Sequence, residues 1–190
     1  MAYFPMFVDL TGADCLIIGG GHVALRKVQV LLDFDANVHL IAKSICKEIK
    51  ELEGEQELTI EEGEFKPEYI EGRKLVVVAT NDNKLNSQVA NLCNKANIPV
   101  NVVDDKSKSS FIFPSYLKEG DLVGAFSSAG NSPALTQYLK NKNKEIITPE
   151  LGLLNDKLGS IRGEIQRKYK TEAERKEAYE KIIRDALGEK

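Results

Sequence analysis

The run Gly19-Gly20-Gly21-His22-Val23-Ala24 is where this sequence most plainly offers chemistry. It fits G-x-G-x-x-A, directly follows the apolar Cys15-Leu16-Ile17-Ile18, and opens a helical stretch from His22 to about Phe34. Glycines there permit a tight turn and let backbone N–H groups approach a pyrophosphate, whose charge a helix N-terminus favours. A tight turn that binds nothing is the bland alternative, and the strand and helix on either side favour a dinucleotide. In such a site an acidic residue at the end of the second strand normally bonds the adenosine ribose. Here that place reads Ile41-Ala42-Lys43-Ser44, so backbone groups or Ser44 would take the ribose, Lys43 would tolerate a 2′-phosphate, and NAD versus NADP stays open.

Asn101-Val102-Val103-Asp104-Asp105 places two carboxylates at the C-terminal end of an expected strand, where open α/β sheets gather their ligands. One of them could accept a proton while a hydride leaves a substrate, the alternative being an Asx cap or turn. Ser127-Ser128-Ala129-Gly130-Asn131-Ser132-Pro133 is rich in donors and small residues. It would either hold an anionic group or simply form a loop and helix cap. His22 and His39 have no partner at metal-ligand spacing and read as structural or solvent-facing; no metal site is expected.

The elements that must carry these residues alternate. Asn37–Ala42, residues around 58–62, Leu75–Ala79 and Ile98–Val103 read as further strands, with helices from about Lys47 to Leu52 and after Asn81-Asp82-Asn83. In the second of these helices Leu85, Val89, Leu92 and Ala96 mark one apolar face. The fold class is therefore α/β, a Rossmann-type doubly wound parallel sheet over residues 1–112. After Ser110 the texture changes: Leu122 to Ser127 reads as a strand outside the alternation, and Ser132-Pro133 starts a helix running toward Lys144. From Thr148-Pro149 onward, Leu151, Leu154, Leu158, Ile161 and Ile165 describe an amphipathic helix that must bury its stripe on its own domain or on a partner subunit. The expected division is thus 1–112, a small α+β dimerisation segment at 113–146, and a helical C-terminal domain at 147–190. The acidic stretch Glu51 to Glu64 reads as a solvated surface.

Composition bounds the possibilities. The chain has 190 residues, 42% hydrophobic and 29% charged, which suits an ordered globular protein rather than a disordered one. The net charge is −3 and neither half is strongly basic, so nucleic acid is not an expected partner. No apolar run reaches the roughly 18 to 20 residues a spanning helix needs, and no leader is apparent, so a soluble cytoplasmic protein without a membrane partner is expected. Cys15, Cys46 and Cys93 are odd in number and widely spaced, as befits reduced thiols.

Several motifs fall in one order: Phe4-Pro5-Met6-Phe7-Val8-Asp9-Leu10, the glycine turn, Ala24-Leu25-Arg26-Lys27, Ala79-Thr80-Asn81-Asp82 with Asn86, Asn101-Val102-Val103-Asp104, Ser110-Phe111-Ile112-Phe113-Pro114, and Ser127 to Pro133. In this the chain resembles the precorrin-2 dehydrogenase family, the N-terminal part of siroheme synthase, closely over about residues 3–145 and loosely over the tail. The resemblance implies NAD-dependent dehydrogenation of precorrin-2 to sirohydrochlorin, with Asp104 rather than Asp105 in the chemistry. It implies that Gly19, Gly21, His22 and Val23 line the pyrophosphate, Lys43 and Ser44 the ribose, and Thr80 and Asn81 the cofactor side of the cleft. Asn101 and Ser128 would shape the substrate cavity, and Arg26, Lys106 and Lys108 would meet substrate carboxylates. It also implies a homodimer formed through the segment after the nucleotide domain, with the tail closing the cleft. Two alternatives stand beside it: an enzyme that also inserts iron or cobalt, and a non-catalytic NAD-sensing module. At 190 residues no methyltransferase part is expected in this chain.

Overall fold

The computed structural model describes residues 3–54 and 57–188. Two compact units meet in the sequence between Ile112 and Phe113.

The first unit is a parallel sheet built from β1 (Asp14–Ile18), β2 (Asn37–Ala42), β3 (Leu58–Glu62), β4 (Leu75–Val78) and β5 (Val100–Val102), in the order β3-β2-β1-β4-β5. Strands are added on one side of β1 and then on the other, so the reversal lies between β1 and β4, the point where doubly wound sheets bind their ligands. α1 (His22–Asp33), the short α2 (Lys47–Lys50) and α3 (Asn83–Lys95) connect the strands. Leu16, Ile17, Leu40, Ile41, Val76, Val77, Val78 and Val100 are fully buried. Successive buried residues mean that both sheet faces are covered, as parallel strands require. Each such side chain contributes about 1.5–3 kcal/mol by leaving water.

α1 turns Ala24, Val28 and Leu31 inward. α3 buries Asn86, Val89, Ala90 and Cys93, while Ala96, expected on the inner stripe, is its exposed C-cap. Leu85, Val89 and Leu92 of the expected face do pack on the core, and Asn86 is drawn in beside them by two hydrogen bonds to Thr80. At the N-terminal edge of the sheet, Arg73 Nη2 lies 2.9 Å from His39 Nδ1, and its Nε–H donates to the Tyr69 carbonyl at 2.9 Å. His39 Nε2 lies 3.4 Å from Glu61, which also accepts from the Tyr69 hydroxyl. This network ties β2 and β3 to the 3-10 turn Pro67–Ile70 before β4, beside a hollow of about 190 Å³ lined by Asp14, Asn37, Thr59 and Arg73.

In the second unit β6 (Ser115–Glu119) and β7 (Leu122–Phe126) form an antiparallel hairpin, followed by α4 (Pro133–Asn143), α5 (Pro149–Ser160), α6 (Arg162–Lys168) and α7 (Glu172–Leu187). The sequence expectation lacked β6 and ran the tail as one helix. The hairpin turns at Gly120, whose φ of 58° is left-handed, and Ser115-Tyr116-Leu117-Lys118-Glu119 neither alternates strictly nor forms an apolar run, so it carries a weak strand signal. The tail breaks where Thr171 and Glu174 form a reciprocal capping box that starts α7. A Cβ on Gly152 would stand 2.8 Å from the Glu119 carbonyl oxygen, so α5 lies directly against the hairpin. Leu154 and Ile165, from the expected stripe, are buried within this unit. Residues 113–146 and 147–190, separated in the sequence reading, thus lie in one compact unit.

Candidate active site

The three glycines after β1 serve different ends. Gly19 has φ 122°, and a Cβ there would stand 2.3 Å from the Ala79 carbonyl oxygen, so the turn after β1 presses on the turn after β4. A Cβ on Gly20 would lie 2.2 Å from the Ser44 carbonyl oxygen, and the Cys46 N–H donates to Gly20 O at 2.8 Å. Gly21 is extended (φ −92°, ψ −177°), and a Cβ there would meet nothing within 4 Å. Neither its conformation nor its neighbours in the chain require glycine; what glycine leaves is room at the N-terminus of α1.

That N-terminus has no side-chain cap and no acidic residue in its first turn. Its first N–H groups and the positive end of its dipole therefore face an open cradle, a fit for the pyrophosphate of a dinucleotide. His22 is exposed and lies 3.5 Å from Glu48; Val23 is 40% exposed, while Ala24 is fully buried and lets the helix close on the sheet.

Lys43 and Ser44 are exposed just beyond β2, and Lys43 Nζ is 2.9 Å from Glu64 Oε1. Beyond β4, the Thr80 hydroxyl donates to Asn86 Oδ1 at 2.5 Å, Asn86 Nδ2 donates to the Thr80 carbonyl at 3.0 Å, and the Asp82 N–H donates to Thr80 Oγ1 at 3.1 Å. Asp82 also caps α3, accepting from the N–H groups of Lys84 and Leu85. These bonds fix the β4–α3 turn beside the glycine turn and leave Asn81 exposed at its tip.

The two carboxylates after β5 part company. Asp105 accepts from Ser107 N–H at 3.1 Å and Ser107 Oγ–H at 2.6 Å, and lies 2.7 Å from Lys108 Nζ. Lys108, then Ser107, hold its pKa down at about 2. Asp104 instead stands exposed on a left-handed backbone with φ 62°. Lys27 of α1 was not foreseen as a site residue. It is half-buried, and burial, followed by neighbouring Arg26, lowers its pKa while the charge of Asp104 opposes that shift. A lysine on a helix face otherwise built from Ala24, Val28 and Leu31 was the available signal.

Asn101 is buried and donates its amide N–H to the Phe111 carbonyl at 3.0 Å. The hydroxyls of Ser109 and Ser110 accept from the N–H groups of Val102 and Val100, closing the edge of β5. Asn101 is thus a strap beneath the Asp104 turn. Arg26 is exposed on α1, and Lys106 Nζ lies 5.6 Å from the centre of the Tyr3 ring. The first unit therefore gathers the glycine turn and the residues following β2, β4 and β5 at the C-terminal ends of its strands. Ser128 belongs to the second unit, where its hydroxyl donates to Ser132 O at 3.1 Å and accepts from Ser132 N–H at 2.9 Å, next to left-handed Ala129 and Gly130. Among the described residues no group of three or more His, Cys, Asp or Glu side chains could hold a metal ion, and no helix is long and apolar enough to cross a membrane.

Residues 6–115 match a family model described as putative NAD(P)-binding. Over all its residues the chain is 36% identical to a siroheme synthase of Pseudoalteromonas translucida, and it is 38% identical over 189 residues to a siroheme synthase of Buchnera aphidicola. It spans 40% of the length of each of these relatives. A solved structure named SirC, precorrin-2 dehydrogenase, is similar with a TM-score of 0.80 and 25% identity, covering 96% of this chain and 90% of that one. With more than half of its residues under the model and the glycine cradle intact, the chain belongs to the putative NAD(P)-binding family.

Proposed function

We propose that the chain catalyses the NAD-dependent dehydrogenation of precorrin-2 to sirohydrochlorin. The observation that carries this reading is the likeness to the protein named precorrin-2 dehydrogenase, which extends over 96% of the chain and so includes both units rather than the nucleotide fold alone.

Gly19, Gly21, His22 and Val23 hold the pyrophosphate through the backbone of the turn and the first turn of α1. Lys43 and Ser44 border the ribose, and Thr80 and Asn81 the cofactor side of the site. When bound, the nicotinamide supplies the hydride acceptor. Loss of hydride from a ring carbon must be matched by loss of a proton for the new double bond to form. Asp104 accepts that proton, and its exposure lets it pass the proton to solvent. Lys27 places a half-buried cation within electrostatic reach of Asp104. Asp105, engaged by Ser107 and Lys108, instead fixes the loop. Asn101 and Ser128 act by shaping: each spends its polar group on a nearby backbone carbonyl. Arg26 and Lys106 are the exposed cations for the carboxylates of the macrocycle.

A homodimer goes with this reading, because Leu135, Tyr138 and Leu139 form an exposed apolar stripe along α4. A cytoplasmic location suits the three free cysteines. The test is anaerobic incubation of the purified chain with enzymatically made precorrin-2 and NAD⁺. Sirohydrochlorin absorbance should rise only when both are present; no conversion by folded protein that binds NADH would refute the assignment.

A further inference from the structure

We propose that Glu64 reads the adenosine ribose and makes the site selective for NAD over NADP, an inference that rests on the nucleotide-binding reading above. In sheets of this kind the carboxylate that accepts from the ribose hydroxyls stands at the end of β2. In this chain the first residue beyond β2 is a cation, Lys43, which alone would favour a 2′-phosphate.

The neighbouring strand supplies what β2 lacks. Ala42 stands opposite Glu62 in the β2–β3 register, and the Gly63 N–H donates to the Ala42 carbonyl at 2.9 Å, carrying the pairing one residue past β3. Glu64 therefore leaves the sheet level with Lys43 and Ser44, and its Oε1 lies 2.9 Å from Lys43 Nζ. The Lys43 hydrogen bond, and then its charge, lower the pKa of Glu64, so the carboxylate is ionised and able to accept.

Both side chains are about three-quarters exposed, at 74% and 76%. An exposed pair of this kind is only weakly held, so the carboxylate can turn from Lys43 to a ribose hydroxyl with little loss. The other lysines of this rim are already engaged. Lys47 lies 3.0 Å from Glu51, and Lys50 lies 3.1 Å from Glu62, so these lysines already face carboxylates. With those lysines engaged, Lys43 is the cation that would meet the extra phosphate of NADP, and Glu64 both occupies it and offers the ribose hydroxyls an acceptor.

The experiment compares dissociation constants for NADH and NADPH, read from cofactor fluorescence, in the wild type, Glu64→Ala, Glu64→Lys and the double variant Glu64→Ala/Lys43→Ala. The wild type should bind NADH about tenfold or more tightly than NADPH, and Glu64→Ala should narrow that ratio by about tenfold, the scale of one close charge pair near a surface. Glu64→Lys should reverse the preference, and removing Lys43 from the Glu64→Ala background should weaken NADPH binding specifically. A wild type without NADH preference, or a ratio unchanged in Glu64→Ala, would overturn the proposal while leaving nucleotide binding intact. Failure of the wild type to bind either cofactor would overturn the nucleotide-binding reading and the proposal with it.

Discussion

In the unit that ends at Ile112, β4 and β5 are buried at every position and β1 and β2 at most of theirs, whereas from Phe113 onward the buried apolar residues among those described are Leu117, Leu154 and Ile165. The first unit covers most of its own sheet and packs the turn after β1 closely against its neighbours at Gly19 and Gly20. The second leaves Leu135, Tyr138, Ile146 and Leu153 more than half exposed. A well-packed unit suits a turn that must meet a pyrophosphate with its backbone; a unit with uncovered apolar faces suits association.

The contrast can be broken most forcefully at Gly19. Gly19→Ala adds a Cβ against the Ala79 carbonyl and imposes a left-handed backbone, so it should destabilise the first unit by about 2–4 kcal/mol in denaturant titration. An unchanged midpoint would mean that the two turns yield more than their burial suggests. Next in size, Leu135→Glu with Tyr138→Glu should convert a dimer to a monomer by solution mass while NADH binding is retained. A dimer that survives both charges would place the interface elsewhere. Gly21→Ala sharpens the comparison inside the first unit: stability should change by less than about 0.5 kcal/mol, yet NADH affinity should fall about tenfold or more because the Cβ enters the cradle. The smallest effect concerns His39. Burial, then Arg73, lower its pKa against the opposing Glu61, so the unfolded chain takes up a proton there first. The stability that this neutral histidine contributes is present above the unfolded value near 6.5 and is lost as pH falls below it. Melting temperature should therefore drop between about pH 7 and 5, and His39→Gln should flatten that drop.

The centre of the parallel sheet was legible because strands buried on both faces leave unbroken apolar runs, as in β1 and β4, while β2 and β3, more mixed in composition, still stand at the residues the pattern marked. β6 was not, since Ser115-Tyr116-Leu117-Lys118-Glu119 is short, neither alternates nor runs apolar, and follows a proline. The break before α7 was written in Thr171 and Glu174 as a capping box but was masked by the charge of the tail. At the site, the glycine turn could be read from local spacing. So could the commitment of Asp105, whose partners Ser107 and Lys108 lie two and three residues on. Glu64 could not, because it reaches Lys43 from beyond an adjacent strand; for Lys27 the legible signal was its place on the apolar face of α1, while its electrostatic link to Asp104 spans more than seventy residues of sequence.

The most direct test sets Asp104→Asn beside Asp105→Asn and follows both sirohydrochlorin formation from precorrin-2 and NADH affinity in the same preparations. The expected result is that Asp104→Asn binds NADH like the wild type while turnover falls by about a hundredfold or more, and that Asp105→Asn retains most of its turnover. Undiminished turnover in Asp104→Asn would contradict the account.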